Sequence, residues 1–202
     1  MLESDENRSA LAGVGRGLSE EIFVALAKTP PAPNESPDRV RRWLRLFWPR
    51  PYPLDPAPIL ALTQHTDLLV SRQAFRALAR VAHPAVREFA ENLAESDSPL
   101  RAKVGDLLAT NPGDGDREIL RRVWQSLENE DEIHDFGFGL TAYFDAHPET
   151  WLDELLVSVY EKTPCSSCRG SIARRLVKSQ LVPGWLLDEI RWDSDEDTRT
   201  LI

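Results

Sequence analysis

The stretch DLLVSRQAFRALA, residues 67–79, shows the pattern that decides the fold of this chain. Its apolar residues recur at the three-and-four spacing of a helix that is buried along one side. It opens with Asp67, and an arginine, Arg72, follows five residues later. An aspartate at this place caps the free N–H groups of a helix and complements the positive end of its dipole. The stretch therefore predicts an amphipathic helix that begins at an aspartate and carries an arginine near its start.

Two later stretches repeat this pattern: DSPLRAKVGDLLA, residues 97–109, and DEDTRTLI, residues 195–202. In both, an aspartate, Asp97 or Asp195, lies four residues before an arginine. We expect it to cap the helix, and it is also placed to pair with the arginine of its own or the adjacent repeat. The arginines of the whole series are Arg72, Arg101, Arg169 and Arg199. Their separations are 29, 68 and 30 residues, and the middle interval is two repeats long. The missing member falls near Gly137, where the apolar spacing continues without an arginine.

Prolines recur in phase with the arginines. The segments ALARVAHP, LLATNP, AYFDAHP and SQLVP each end a predicted helix, and their prolines are residues 84, 112, 148 and 183. The intervals of 28, 36 and 35 residues are typical of repeats built from helix pairs. Because the first position of a helix needs no N–H group, we expect each proline to start the next helix. No comparable stretch alternates apolar and polar residues, so the chain is predicted to be all-α.

The combined pattern of aspartate, apolar residue, arginine and small residues resembles HEAT-like repeats over residues 55–202. The resemblance implies a right-handed α-solenoid of about four stacked antiparallel helix pairs, which binds other macromolecules as a scaffold. Residues 1–54 depart from the pattern, because nine of the fifteen prolines lie between Pro30 and Pro58. We expect this part to form an atypical N-terminal helical cap. It holds a predicted helix over 9–28, and a short one over 38–48 that Ser36 and Pro37 start.

The composition argues against several classes of protein. A net charge of −9 disfavours a general nucleic-acid binder, because phosphate binding needs a basic face. Two cysteines do not make a disulfide scaffold. No apolar run approaches the 18 residues of a membrane span, and the acidic N-terminal stretch does not resemble a secretory signal. We therefore expect a cytoplasmic protein that has no membrane partner.

Both cysteines, Cys165 and Cys168, lie in the segment PCSSCRGSIARRLV, residues 164–177. In repeat register, Cys165 falls where the helix starts and Cys168 where a small residue packs, so the first interpretation is structural. The second is a zinc site, but zinc needs about four ligands and this C-x-x-C pair supplies only two. A redox dithiol is the third. The remaining zinc ligands would have to come from a second subunit or from the four histidines, none of which shows paired ligand spacing: His65, His83, His134 and His147.

Other polar segments are predicted to be structural. His83 and His147 each precede a proline and are expected to flank a helix. The acidic run ENEDEIHD, residues 128–135, is predicted to be a solvated turn between helices, because it lacks the spaced oxygens and glycine of a calcium loop. No nucleophile with an identifiable base is present. We therefore predict no catalytic residues and no cofactor.

Basic residues cluster on the predicted second helices of two pairs. Arg72, Arg76 and Arg80 are spaced four apart on one helix, and a second cluster consists of Arg174, Arg175 and Lys178. First helices of the pairs carry acidic residues instead. One interpretation is ordinary solvated helix faces. The other is a partly basic concave face, which suits an acidic peptide better than DNA because the chain is negative overall.

The segment RVRRWLRLFWPRPYP, residues 39–53, combines aromatic and basic residues. We expect Trp43 and Trp48 to pack onto the first repeat and close the end of its core, as a capping element does. The alternative is an exposed hot spot for a partner. Together these patterns predict a non-catalytic scaffold or adaptor that binds another protein. The alternative function is a HEAT-like lyase or nucleic-acid-processing enzyme that acts through a basic, tryptophan-containing concave face.

Overall fold

A computed structural model describes residues 12–32, 34–149, 151–180 and 182–202 of the chain. All regular secondary structure in these ranges is helical, and they contain no strand. This confirms the all-α prediction. The start of the helix predicted over 9–28 lies outside the described residues, and a break at residues 18–19 divides the rest into two helices. Within the described ranges, no helix has both the length and the apolar character that crossing a membrane requires.

The described helices are numbered in chain order, with α1 covering residues 12–17. A 3₁₀ helix at Pro99–Lys103 leads directly into α7. The other helices are α2 (Glu20–Ala27), α3 (Pro37–Arg45), α4 (Ala57–Leu62), α5 (Leu68–Leu78), α6 (Pro84–Ala94), α7 (Val104–Leu108), α8 (Asp116–Gln125), α9 (Glu130–Ala146), α10 (Leu152–Lys162), α11 (Ser166–Ser179), α12 (Gly184–Ile190) and α13 (Glu196–Arg199).

Two of the three predicted aspartate caps are confirmed. The carboxylate of Asp67 accepts hydrogen bonds from the first N–H groups of α5, at 2.9 and 3.1 Å. Asp195 accepts one from the Thr198 N–H group in α13, at 3.0 Å. The prediction for Asp97 is wrong, because Ser98 is the cap and its hydroxyl accepts from the Leu100 N–H group at 3.3 Å. Asp97 lies one residue too early and stands 3.9 Å from the Arg101 guanidinium instead.

The prediction that a proline starts the next helix fits two of the four prolines. Pro84 is the first residue of α6, and Pro183 is the residue before α12. The prediction is wrong for Pro112, because α8 begins only at Asp116, after Gly115 at a φ of +89°. A backbone conformation with positive φ favours glycine, so the turn before α8 lies at Gly115 and not at Pro112. It is also wrong for Pro148, since α10 begins at Leu152.

The acidic run 128–135 was expected to be a turn, and that prediction is wrong. Asn129 caps α9, and its side chain accepts a hydrogen bond from the Glu132 N–H group at 2.9 Å. Residues 130–135 form the first turns of that helix. Acidic side chains stabilise a helix N-terminus because they face its positive dipole end. The run is thus a helix start, and this places His134 on α9.

The chain divides into two compact units, residues 1–89 and residues 90–202. In the N-terminal unit, α5 packs against both α3 and α4. Beside them lies an aromatic cluster whose ring centroids are 4.8–5.9 Å apart. Its members are Phe23, Trp43, Phe47 and Tyr52. The Trp43 indole and the Tyr52 hydroxyl donate to the carbonyls of Leu26 and Ala27, at 3.0 and 2.8 Å, and so satisfy groups at the end of α2.

In the C-terminal unit, α9 is the central helix, and α7, α8, α10 and α11 all pack against it. Its approach to α7 is unusually close. A Cβ atom added to Gly105 would lie 2.5 Å from the backbone carbon of Gly139. The two helices therefore cross with backbone against backbone, which only glycine permits at this distance. Neighbouring helices also contact in order, α7 with α8 and α10 with α11, and α11 contacts α13.

Candidate functional site

One exposed face of α5 carries the first predicted basic cluster. Arg72 and Arg76 lie one helical turn apart on this face, and Arg80 follows just beyond the end of the helix. All three side chains are exposed. At the start of the same helix, Leu68 and Leu69 are 68% and 47% exposed, so two consecutive apolar side chains reach the solvent. We call these five residues the α5 face: it combines positive charge with two apolar side chains.

Trp48 lies against this face. The guanidinium carbon of Arg76 stands 4.1 Å from the centre of its ring, a cation–π contact that orders both side chains. The guanidinium of the buried Arg45 lies 5.9 Å from the same ring. Trp48 is half-buried, whereas Trp43 is only 8% exposed and belongs to the aromatic cluster. Of the two tryptophans, Trp48 alone is therefore placed to contribute to a surface.

The charge around the α5 face is positive although the chain is negative. Residues 37–80 contain eight arginines and three aspartates, with no lysine or glutamate, so their net charge is +5 in a chain of −9. Asp38 is paired with Arg41 and Asp67 caps α5. Neither Arg72 nor Arg80 forms an ion pair with any residue that the structure describes. Their charge is thus available to a partner.

The second predicted basic cluster lies on α11 in the C-terminal unit. Arg174 and Lys178 are exposed. Arg175 instead forms hydrogen bonds within the unit. Its Nε donates to Asp145 at 2.9 Å, and the same guanidinium donates to the Ser171 carbonyl at 2.8 Å. Because an arginine held by a carboxylate is already neutralised, Arg175 adds little to a basic surface. This cluster is therefore weaker than the α5 face.

Both cysteines belong to α11, where Cys165 is the N-cap and Cys168 is buried with 4% exposure. This placement fits the structural interpretation. It also brings them to His134 on α9, whose Nδ1 lies 3.1 Å from the Cys168 sulfur. The three potential ligand atoms all lie within 4.8 Å of one another. We call His134, Cys165 and Cys168 the His–Cys₂ cluster.

Neighbouring groups restrict the side chains of the His–Cys₂ cluster. The Cys168 N–H group donates to the Cys165 sulfur at 3.4 Å. The ring of Phe138 contacts the His134 ring edge-on, and the two ring centroids are 4.8 Å apart. Burial raises the pKa of the Cys168 thiol to about 12, and the hydrogen bond and charge of Cys165 add to that rise. As a free thiol, Cys168 is therefore protonated at neutral pH and is a poor nucleophile.

The other three histidines form hydrogen bonds with the backbone. The Nδ1 atoms of His65 and His83 accept from backbone N–H groups two residues ahead, at 2.9 and 3.1 Å. His147 ends α9, and its Nε2 lies 2.9 Å from the Ala109 carbonyl. The expected helix-flanking role fits His83 and His147. Sequence spacing did not single out His134 among the four candidate histidines, because the two cysteines lie 31 and 34 residues away from it. The helical phase of residues 130–146 places it near them.

Comparison of the chain with protein-family models, with curated proteins and with solved structures gives no match. The α5 face and the His–Cys₂ cluster are the two candidate sites among the residues that the structure describes.

Proposed function

We propose that the protein is a non-catalytic cytoplasmic adaptor that binds an acidic segment of another protein on the α5 face. The observation that carries this proposal is the exposure of Arg72 and Arg80 without an acidic partner among the described residues. An arginine is a planar donor that binds carboxylates in a bidentate manner, so a row of arginines suits a peptide rich in aspartate and glutamate. Opposite charges across an interface also raise the association rate.

Two further features support a peptide as the partner. Leu68 and Leu69 offer apolar area next to the arginines, and an interface needs such area for affinity. The Arg76 guanidinium is already stacked on Trp48, so it loses less side-chain freedom when it binds. The preferred ligand is therefore an acidic segment with at least one apolar side chain.

We further propose that the helices of the C-terminal unit stack as the pairs of a right-handed HEAT-like solenoid do, as the resemblance implies. In the C-terminal unit, the helices from α7 to α11 contact their chain neighbours, and alternate helices also contact: α7 with α9, α9 with α11, and α11 with α13. Stacked helix pairs produce this combination, because each pair touches mainly the next one. The recurring caps at Asp67 and Asp195 support the same repeat.

Fluorescence anisotropy tests the adaptor proposal. A labelled glutamate-rich peptide with one leucine is titrated with the full chain at low salt and again at physiological salt. We expect saturable binding that weakens with salt, because the contact is largely electrostatic. The double variant Arg72→Glu/Arg80→Glu should weaken it by about tenfold or more.

A matched control distinguishes an effect of the α5 face from an effect of the net charge of the protein. Arg16 and Arg117 are also exposed, and Arg16→Glu/Arg117→Glu changes the net charge by the same amount. It should alter peptide affinity by less than about threefold, since neither arginine belongs to the α5 face and salt screens exposed charges. Equal losses in the two double variants, or no binding at all, would refute the proposal. Tighter binding of an oligothymidine than of the peptide would instead favour the nucleic-acid-processing alternative.

A further inference from the structure

We propose that the His–Cys₂ cluster is a zinc site in which one ion is held by His134, Cys165 and Cys168. The ligands lie in the C-terminal unit, at the contact between α9 and α11. This proposal is independent of the adaptor function, which concerns α5.

The distances suit a tetrahedral ion. Zinc lies about 2.3 Å from a thiolate sulfur and about 2.0 Å from an imidazole nitrogen, so tetrahedral ligand atoms stand roughly 3.6–3.8 Å apart. The Cys168 sulfur and the His134 Nδ1 are 3.1 Å apart, and no pair in the cluster exceeds 4.8 Å. Each ligand therefore needs to move by no more than about 1 Å, which side-chain rotation can supply.

The local structure prepares the ligands for this role. Cys165 caps α11, a helix of 14 residues, so its sulfur lies where the helix dipole favours negative charge. The Cys168 N–H group already donates to that sulfur, and such a bond stabilises a thiolate. On the other helix, the edge-on Phe138 ring restricts the His134 imidazole. Two packed helices thus hold all three donors before an ion arrives.

The donor set selects the metal. Thiolate sulfur and imidazole nitrogen suit zinc, whereas Mg²⁺ and Ca²⁺ require oxygen ligands. Three protein ligands leave a fourth position, and the half-buried Cys165 and His134 give water access to it. When Zn²⁺ binds, the two cysteines lose their protons to solvent and form two Zn–S bonds, and the ion remains divalent. No oxidant or reductant takes part.

A redox dithiol is the rival interpretation of the same two cysteines. In that case an external disulfide would oxidise Cys165 and Cys168 to one disulfide, and its own two sulfurs would leave as thiols. The position of His134 distinguishes the two, because a zinc site uses its imidazole as a ligand whereas disulfide formation does not require it. The experiment therefore needs a histidine variant as well as a cysteine variant.

The test measures metal uptake by the purified full chain under a phosphine reductant, which does not bind zinc strongly. Zinc is added, excess is removed by dialysis, and the bound metal is counted by mass spectrometry. We expect one zinc ion per chain and a raised melting temperature, because the ion binds the folded state. With Co²⁺ in place of zinc, we expect the visible bands of a tetrahedral site and a thiolate-to-metal charge-transfer band.

Three variants identify the ligands. Cys165→Ser and His134→Asn alter half-buried side chains, so both should keep the far-ultraviolet circular dichroism of the parent. Each should weaken zinc binding by about tenfold or more, and Cys165→Ser should reduce the charge-transfer band. The control His65→Gln changes a histidine of the N-terminal unit and should bind one zinc ion like the parent.

Several results would overturn the zinc site. They are no zinc retained after dialysis, one ion per two chains, or unchanged uptake in His134→Asn. Ready formation of the Cys165–Cys168 disulfide, with no zinc bound under reducing conditions, would favour the redox dithiol. None of these outcomes affects binding of the acidic peptide, so failure here is distinguishable from failure of the adaptor proposal.

Discussion

The two units of the chain bury their helices by different means. In the N-terminal unit, four aromatic rings cluster at α2, and the polar groups of two of them donate hydrogen bonds to carbonyls at the end of that helix. The C-terminal unit instead brings α7 and α9 together until Gly105 meets Gly139. Large rings fill an irregular space, whereas small residues permit regular helix contacts. The two units should therefore lose stability under different substitutions.

The units also differ in the chemistry that they present. Arginine dominates residues 37–80 and gives that region a net charge of +5. The C-terminal unit holds both cysteines, next to His134. Exposed positive charge suits the recognition of an acidic partner, and sulfur and nitrogen ligands between two helices suit a metal ion. The four predictions below test the contrast between the units, beginning with the largest expected effect.

Removing the central ring of the aromatic cluster should be the most damaging change. Phe47 is fully buried and contacts the rings of Phe23, Trp43 and Tyr52. Phe47→Ala should lower the free energy of unfolding by about 3–5 kcal/mol, because it removes apolar area and leaves a cavity. Hydrogen exchange should accelerate most in α2 and α3. Equal acceleration in α9 and α11 would contradict the proposed difference between the units.

The glycine crossing should be the most sensitive point of the C-terminal unit. In Gly105→Ala, the new Cβ atom would stand 2.5 Å from the backbone of Gly139, so the helices must separate. We expect a loss of about 1–3 kcal/mol in chemical denaturation. The control is Gly137→Ala on the same helix as Gly139, where the nearest atom is a Val159 methyl at 3.5 Å.

Gly137→Ala should be neutral or should raise stability by up to about 1 kcal/mol, since alanine favours a helix more than glycine does. A similar loss in both variants would show that helix propensity or general crowding, rather than the crossing, decides the effect.

Tyr52→Phe tests the polar part of the aromatic cluster. The substitution keeps the ring but removes the hydroxyl that donates to the Ala27 carbonyl at 2.8 Å. The lost bond and the unsatisfied carbonyl should cost about 1–2 kcal/mol in thermal or chemical unfolding. Stability equal to that of the parent would mean that the ring alone, and not its hydrogen bond, fixes the end of α2.

The smallest effect is expected at Asp153, which is buried in the first turn of α10. One of its carboxylate oxygens has no hydrogen-bond partner among the described residues, and burial raises its pKa. A raised pKa means that the folded state binds the proton more tightly, so ionisation costs stability above the unfolded pKa. Asp153→Asn should therefore be slightly more stable than the parent at pH 7.

That advantage should shrink as the pH falls through the pKa of the folded carboxyl, because protonated aspartate resembles asparagine. Melting temperatures of parent and variant at several pH values measure this. An advantage that grows towards acid pH would contradict the assignment.

Local signals in the sequence predicted local structure well. Asp67 and Asp195 cap their helices, and Ser36 and Pro37 begin α3, because these residues act within one turn. Prediction failed where a second local preference competed. Gly115 has a positive φ, so the turn lies there and α8 begins after it instead of at Pro112. The acidic residues that suggested a turn lie instead in the first turn of α9, where the helix dipole stabilises them.

The candidate sites depend on contacts that are distant in sequence. The arginines of the α5 face were predictable from their spacing of four, but the stack of Arg76 on Trp48 joins residues 28 positions apart. The sequence offers His134 only as one of four histidines that could join the cysteines, and a turn over residues 128–135 gives its side chain no defined face. Only the packing of α9 on α11 reveals that neighbourhood.

The central claim is that the α5 face recognises an acidic segment, and an NMR titration tests it most directly. The side-chain N–H signals of Arg72, Arg76 and Arg80 and the Trp48 indole signal are followed as the glutamate-rich peptide is added. We predict that these signals shift together and saturate, while the imidazole signals of His134 stay in place. Shifts confined to residues 90–202, or none in the α5 arginines at saturation, would contradict the account.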